Sequence, residues 1–195
     1  MPIDGAKDQM GMIRVPEKVM LFAGVLYCLD EHITAALASL KNEFGGKILH
    51  ESDASLWHSG YYAGELGCDE VKRKFIFFDA LICPGELAAI KLKTNDIEAS
   101  LSESGKRKVN IDPGYITPAR IVLASTKDYA HRVYLQKGIY AEATMLWSRK
   151  ERRFVPHLFT YSDFMEEKNI TIFSQMRDVL QSRLSPASRP FSGCK

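Results

Sequence analysis

The run Val19–Tyr27, VMLFAGVLY, constrains the fold more than any other segment. Both of its alternating sets of residues are apolar, which is typical of a central strand covered on both faces. The run is too short to cross a bilayer as a helix, because a spanning helix needs about 20 apolar residues. It therefore predicts the middle strand of a sheet that is buried on both sides.

The segments after this strand alternate between helical and extended patterns. A stripe of Ile33, Leu37, Leu40 and Phe44 predicts an amphipathic helix that ends at the Gly-Gly pair after it. A weaker strand, a loop HSGYYAGELG and a strong strand follow, and then a helix from Pro84 and a short strand. The order β-α-β-β-α-β predicts an α+β fold with a ferredoxin-like antiparallel sheet as its core. The predicted segments after the first helix are 47–57, 75–82, 84–105 and 108–111.

The remaining chain extends this core. Pro113 and Gly114 predict a turn, and Thr117 followed by Pro118 predicts the start of a short helix through ARIVLAS. The segment HRVYLQKGIYAEATMLW predicts a β-hairpin, and Lys168–Leu184 predicts a C-terminal helix. We expect one domain over residues 18–184, with a flexible arm at 1–17 and a flexible tail at 185–195.

The sequence also predicts the register in which the two hairpin strands pair. A three-residue loop of Gln136, Lys137 and Gly138, with Gly138 left-handed, fixes the strand pairing. The resulting pairs are Leu135 with Ile139, Tyr134 with Tyr140, Val133 with Ala141, Arg132 with Glu142 and His131 with Ala143. His131 and Glu142 then lie on opposite faces, so a metal site built from Asp112, His131 and Glu142 is not favoured.

Composition and charge exclude several classes of protein. Among 195 residues, 46% are hydrophobic and 26% are charged, so neither a disordered nor a fibrous chain is indicated. The 26 basic and 24 acidic residues give a net charge of +2, too balanced for a nucleic-acid binder that relies on its overall field. Any basic site must be local.

The four cysteines are far apart in sequence and never form a C-x-x-C pair. We therefore expect buried or free thiols rather than a zinc site. The N-terminal segment has no apolar stretch of the kind that directs secretion. Together these features predict a cytoplasmic protein with no membrane partner.

The common catalytic motifs are missing. No G-x-x-x-x-G-K-[ST] phosphate loop, G-x-S-x-G elbow or H-E-x-x-H zinc motif occurs. The basic cluster GKRK, Gly105–Lys108, closes a predicted helix, where cations complement the helix dipole. The sequence indicates neither a cofactor nor a particular reaction.

Unlike polar side chains instead gather between positions 110 and 142. Asp112 and His131 are candidate catalytic groups, since a carboxylate or an imidazole can move a proton near neutral pH. The candidate ligand-binding residues are Tyr115, Lys127, Arg132 and Lys137, together with Glu65, which lies near Tyr62 in the Tyr- and Gly-rich loop. An equally strong alternative is structural: an Arg132–Glu142 ion pair within a hairpin, and polar caps on a Pro-Gly turn.

Five segments give the chain a family resemblance. They are YYAGELG (Tyr61–Gly67), KLKTNDIE (Lys91–Glu98), VNIDPGYIT (Val109–Thr117), STKDYAHRVYL (Ser125–Leu135) and GIYAEAT (Gly138–Thr144). Together they resemble a bacterial and archaeal family known as domain of unknown function 4416, from about Val19 to Leu184. The resemblance implies kinship and a prokaryotic cytosolic origin, and it implies no particular activity.

These features lead to two hypotheses of function. The first is a domain that binds, or binds and acts on, a small phosphate- or carboxylate-bearing ligand such as a nucleotide, at the 110–142 segment. The second is a non-catalytic RNA- or protein-interaction module, because ferredoxin-like sheets can present aromatic side chains to single-stranded bases. A homo-oligomer is open in either case, because an edge strand can pair with a copy of itself.

Overall fold

The computed structural model describes residues 15–57 and 61–184, which form a nine-stranded antiparallel sheet and four α-helices. The helices are α1 (Asp30–Phe44), α2 (Tyr61–Leu66), α3 (Leu87–Ser100) and α4 (Glu167–Leu184). The strands are β1 (Val19–Tyr27), β2 (Ile48–Glu51), β3 (Ser55–Leu56), β4 (Lys72–Ile82), β5 (Val109–Ile116), β6 (Arg120–Ser125), β7 (Val133–Gln136), β8 (Ile139–Ser148) and β9 (Arg153–Pro156). Most of the predicted arm and all of the predicted tail lie outside the described residues.

The sheet has the order β2-β4-β1-β5-β6-β8-β7, with β3 paired to β4 and β9 paired to β8. Every residue of β1 is buried, as the apolar run predicts. The prediction of a mixed α+β chain with an antiparallel sheet is confirmed. The ferredoxin-like topology of the predicted core is not confirmed, because the described strands form one nine-stranded sheet in which β6 to β9 continue from β5.

Two apolar layers cover the two faces of the sheet. Because alternate side chains of a strand point to opposite faces, Leu21 and Val25 of β1 pack with α1 and α3 on one side. Phe22 points to the other side, where its ring centroid lies 5.0 Å from that of Phe173 on α4. Both faces of β1 are therefore covered by helices.

The Pro-Gly turn predicted at 113–114 is wrong, since β5 runs straight through it. Gly114 is required there because a Cβ would lie 2.4 Å from the Val122 carbonyl oxygen and 2.6 Å from the Phe22 ring. Pro113 fits because a strand accepts proline where no neighbour needs its N–H. These residues serve close strand packing rather than a reversal of the chain.

The short helix predicted after Thr117 is also wrong, because Arg120–Ser125 is strand β6, paired with β5 and β8. The Thr117 hydroxyl accepts hydrogen bonds from the backbone N–H groups of Ala119 and Arg120. It thus caps a tight turn between two strands in the way that it would cap a helix. The β-branched Ile121 and Val122 are buried in the sheet.

The hairpin of β7 and β8 has a two-residue turn rather than three. Lys137 and Gly138 both have positive φ, 52° and 75°, as a type I′ turn requires. Gln136 therefore faces Ile139, and Leu135 is displaced at an irregularity. The predicted pairs Tyr134–Tyr140 and Val133–Ala141 are confirmed.

The end of the Tyr- and Gly-rich segment is a helix, α2, where a loop is predicted. Cys28, just after β1, and Cys68, just after α2, form a disulfide with their Cα atoms 6.2 Å apart. The prediction of buried or free thiols is therefore wrong for this pair. These two cysteines no longer support the prediction of a cytoplasmic location. Among the described residues, no helix is both long and apolar enough to span a membrane.

Candidate functional site

The candidate site lies where the sheet divides between β5 and β6. The two strands pair only from Gly114–Leu123 to Ile116–Ile121. Before Gly114, β5 pairs with β1 alone, while β6 continues alongside β8. A cavity of about 330 Å³ occupies this division.

Two side chains of α3 take the place of the missing strand partner. The Ile111 N–H donates to Oε1 of Glu98 at 2.7 Å, and the Ile111 carbonyl accepts from Nζ of Lys91 at 2.7 Å. Alternate residues of a strand direct their backbone groups to opposite neighbours, so Pro113 also directs its nitrogen into the division. Since proline has no N–H, this position leaves no backbone donor unpaired.

Charged groups of alternating sign extend from these two residues along β5. Lys91 Nζ lies 3.7 Å from Glu98 Oε1 and 3.7 Å from Asp112 Oδ1. Arg107 Nη1 donates to Glu98 Oε2 at 2.9 Å, and Arg107 Nη2 also pairs with Glu65 Oε2. Lys91 and Glu98 are buried, so each depends on its partners for its charged state.

Arg73 enters the site from β4 by passing over β1. Gly24 of β1 pairs with Phe75 of β4 on one side and with Asp112 of β5 on the other. A Cβ on Gly24 would lie 2.4 Å from Arg73 Nη1, so only glycine leaves room for the guanidinium. Arg73 Nη1 reaches to 3.5 Å from Asp112 Oδ2, and Nε lies 3.0 Å from Asp163 Oδ2.

The Arg73 guanidinium is not saturated by these contacts. The residue is 4% exposed, yet neither Nε nor Nη1 has a hydrogen-bond partner within the described residues. The contact with Asp163 is thus an ion pair without hydrogen-bond geometry. The Trp57 ring centroid is 5.0 Å from the Arg73 guanidinium carbon, and the Trp57 Nε1–H likewise has no acceptor among the residues that the structure describes. Buried donors without acceptors are costly and uncommon in folded proteins.

The opposite wall, formed by β6 and β8, contains a second buried arginine with a different environment. Arg132 Nε donates to Glu142 Oε2 at 2.7 Å, and Nη2 donates to the Tyr161 hydroxyl at 2.7 Å. Its Nη1 donates to Ser125 Oγ at 2.6 Å and to the Lys127 carbonyl at 3.0 Å. This guanidinium has acceptors for most of its donors and is held rigidly.

His131 lies behind this wall. Its Nε2 is 2.8 Å from Glu142 Oε2, and its ring stacks on Phe159 with centroids 4.3 Å apart. The predicted placement of His131 on the face opposite Glu142 is wrong, because β7 begins only at Val133. Within the part of the chain that the structure describes, no group of three or more His, Cys, Asp or Glu side chains could hold a metal ion.

Burial shifts the protonation of several groups in the cavity. It raises the pKa of Glu98 in spite of the nearby Lys91, and it raises the pKa of Asp163 in spite of Arg73. Burial also raises the pKa of Tyr62 and Tyr161, so both phenols stay neutral. The cost of charge in this site is therefore high, and each ionised group needs a partner.

The structure brings together only part of the predicted site. Glu65, Asp112, Lys127 and Arg132 line the cavity, as does Tyr62. Three other candidates do not line it. His131 contacts only its wall, Tyr115 packs with Ala88 and Val122 in a separate apolar cluster, and Lys137 is exposed at the hairpin turn.

Sequence reasoning missed Arg73, Lys91 and Glu98, although each leaves a signal. Arg73 alternates with Phe75 and Phe77 in a strand, so its side chain points to the apolar face. Lys91, Thr94 and Glu98 follow Leu87 at helical spacing, and all three are buried. A charged residue on an apolar face of an element is the pattern that marks this site.

The family comparison covers this entire site. A family model described as Domain of unknown function (DUF4416) matches residues 17–179. The chain belongs to this family. The DUF4416 match includes every strand, both cavity walls and most of α4. Comparisons with curated proteins and with solved structures find no match.

Proposed function

We propose that this DUF4416 chain binds a small molecule with a phosphate or carboxylate group in the cavity between β5 and β6. The observation that carries the proposal is Arg73, a buried guanidinium that lines the cavity and whose Nε and Nη1 have no hydrogen-bond acceptor in the described part of the chain. An acidic group of a ligand would satisfy such donors with charge-assisted hydrogen bonds. The volume of about 330 Å³ is near the lower end of small-molecule sites, roughly 300–1,000 Å³.

The distribution of charge supports an acid-bearing ligand. Cationic side chains outnumber acidic ones among the lining residues: Arg73, Lys91, Arg107, Lys127 and Arg132 against Glu65, Glu98, Asp112 and Glu142. Arg132 and Lys91 donate hydrogen bonds to protein acceptors, so we assign Arg73 to the ligand. We also assign Lys127 to it, because Lys127 lines the cavity from the exposed side. Lys127 follows β6 and is exposed, which suits a residue at the entrance.

Proton transfer, where the ligand reacts, is assigned to Asp112. Its side chain is 27% exposed and lines the cavity, and Asn110 Nδ2 holds its Oδ2 at 2.9 Å. A carboxylate that is oriented by a neighbour and open to the ligand is the geometry that acid–base catalysis needs. The His131 imidazole contacts Glu142 instead, so we assign it a structural role in supporting the cavity wall.

The alternative, an RNA- or protein-interaction module, has less support. The aromatic residues of β4 that would stack on bases, Phe75, Phe77 and Phe78, are at most 1% exposed in the two cores. Lys72 and Lys74, on the same strand, pair with Asp30 and Glu51. Stacking of single-stranded bases requires exposed rings.

Thermal unfolding with added ligands tests the proposal. Inorganic phosphate, mononucleotides, sugar phosphates and dicarboxylic acids form the panel, and a ligand at 100 times its Kd adds about 2.7 kcal/mol of stability. Lys127→Gln should weaken the shift given by the best anion. Lys137→Gln is the matched control, since this lysine lies at the hairpin turn outside the cavity and should leave the shift unchanged. The proposal is wrong when no anion in the panel raises Tm, or when both variants weaken binding equally.

A further inference from the structure

We infer that the ligand of this cavity is a polyhydroxylated anion, a sugar phosphate or sugar acid, whose neutral hydroxyl groups bind Asp112 and Glu65. The inference rests on the proposed function and adds the chemistry of the rest of the ligand. It follows from two features of the cavity: the hydrogen-bond acceptors that are still available, and the charges that surround those acceptors.

Two carboxylates of the cavity keep acceptor capacity. Asn110 donates to Oδ2 of Asp112, and Lys91 Nζ lies 3.7 Å from Oδ1, beyond hydrogen-bond distance. Arg107 pairs with Oε2 of Glu65, whose side chain is 33% exposed. A carboxylate accepts about four hydrogen bonds, so both residues can receive donors from a ligand.

The other two lining carboxylates are not available in this way. Glu98 accepts from the Ile111 N–H with one oxygen and from Arg107 with the other. Glu142 accepts from Arg132 and Thr144. Both side chains are at most 4% exposed. Ligand donors therefore meet Asp112 and Glu65, while Glu98 and Glu142 hold the walls.

The charge around Asp112 selects a neutral donor over a cationic one. Arg73 Nη1 and Lys91 Nζ lie 3.5 and 3.7 Å from its two oxygens. An ammonium group bound to Asp112 would also lie close to these two cations, and their repulsion would oppose its binding. A hydroxyl group donates the same hydrogen bond without that repulsion. Glu65 is likewise already paired with a cation, Arg107.

Aromatic side chains complete a surface suited to a sugar. Trp57, Tyr62 and Tyr161 line the cavity beside these carboxylates. Aromatic rings combine an apolar face with a polar group at one end. The C–H face of a sugar ring can pack on such a surface while its hydroxyl groups reach Asp112 and Glu65.

Isothermal titration calorimetry with a matched panel tests this inference. The hydroxylated probes are hexose 6-phosphates, pentose 5-phosphates and gluconate; the aminated probe is glucosamine 6-phosphate; inorganic phosphate and acetate carry no carbon-bound hydroxyl group. We expect the best hydroxylated anion to bind at least tenfold more tightly than inorganic phosphate and than glucosamine 6-phosphate. Asp112→Ala should reduce its advantage over inorganic phosphate, whereas Asp112→Asn, which keeps an acceptor oxygen, should retain most of it.

Each outcome has a distinct meaning. Binding of inorganic phosphate without tighter binding of any hydroxylated probe overturns this inference and leaves the proposed function standing. Glucosamine 6-phosphate binding as tightly as the hydroxylated probes also overturns it. No binding of any anion overturns both. A thermal unfolding curve for each variant separates lost binding from lost folding, and Glu65→Ala gives a second variant that should weaken the hydroxylated probes alone.

Discussion

Arg73 and Arg132 line the same cavity and are both buried, 4% and 9% exposed, and each pairs with a buried carboxylate. Arg132 donates to four acceptors of the protein itself. Arg73 has ion pairs, but its Nε and Nη1 lack hydrogen-bond partners in the described chain. The comparison separates an arginine whose donors are met within the cavity wall from one whose hydrogen bonding is incomplete within the described residues.

Arg132→Met should cause the largest loss of stability. Removing one partner of a buried ion pair leaves Glu142 uncompensated, which costs about 3–5 kcal/mol. Urea unfolding of wild type and variant measures the difference. Arg149→Met, at an exposed position, is the control and should change stability by no more than about 0.5 kcal/mol. Equal losses in the two variants would contradict a structural role for Arg132.

Gly24→Ala tests the path of Arg73 across β1. The new methyl group would lie 2.4 Å from Nη1, so the guanidinium must move away from Asp112. We expect a loss of about 1–3 kcal/mol from overpacking and a weaker anion-induced shift in Tm. Gly85→Ala is the control, because a Cβ there meets nothing within 4 Å. Normal anion binding by Gly24→Ala would show that the position of Arg73 does not matter.

Arg73→Gln should give a smaller and pH-dependent loss. Burial raises the pKa of Asp163 in the folded protein, and without Arg73 the pKa should rise further. A group whose folded pKa is raised contributes stability below its unfolded pKa and loses it as pH rises through the folded pKa. Each unit by which the folded pKa of Asp163 rises further costs about 1.4 kcal/mol of folding stability at pH values above that pKa.

The gap in Tm between wild type and Arg73→Gln should therefore be wide at pH 7 and narrow toward pH 4. Adding Asp163→Asn to the variant should remove most of this pH dependence. A gap that is constant with pH would mean that Asp163 does not depend on Arg73.

Asp79→Asn weakens an ion pair at the surface and serves as a reference for the buried pairs. Of the four substitutions, it should lower the stability least. The hydrogen bond from Arg183 Nη2, 2.6 Å long, lowers the pKa of Asp79. A lowered pKa contributes stability above the unfolded pKa, and this stability is lost as pH falls through the folded pKa. Thermal unfolding should show a slightly lower Tm for the variant at pH 7 and no difference at strongly acidic pH. An effect as large as that of Arg132→Met would contradict the distinction between surface and buried pairs.

Most elements of the fold could be predicted from local patterns. The run at Val19–Tyr27 gives β1 with its observed ends, and helical stripes give α1, α3 and α4. The two errors between Ile111 and Ser125, a turn and a short helix, share one cause. Thr-Pro and Pro-Gly pairs fit a helix start or a turn equally well, and only the approach of Phe22 and Val122 to Gly114 selects the extended chain.

The candidate site was predictable only in part, for a related reason. Asp112, Lys127, Arg132 and Glu65 stand out in the sequence as polar residues in segments rich in apolar, aromatic or small residues, and all four line the cavity. Arg73 and Glu98 come from a strand and a helix far apart in sequence, and their meeting depends on the strand order β4-β1-β5. No local pattern in the sequence predicts that strand order. A charged residue on an otherwise apolar face is a local sign of the site.

The pair of side chains that replaces a strand beside Ile111 has a consequence for how this protein can vary. Without Lys91 and Glu98, β5 would present open backbone groups to β6, and pairing could continue past Gly114 and close the cavity. The opening is thus a property of backbone pairing rather than of side-chain packing. We therefore expect replacement of Asp112 or Arg73 to change the charge inside the cavity, and replacement of Lys91 or Glu98 to change its shape.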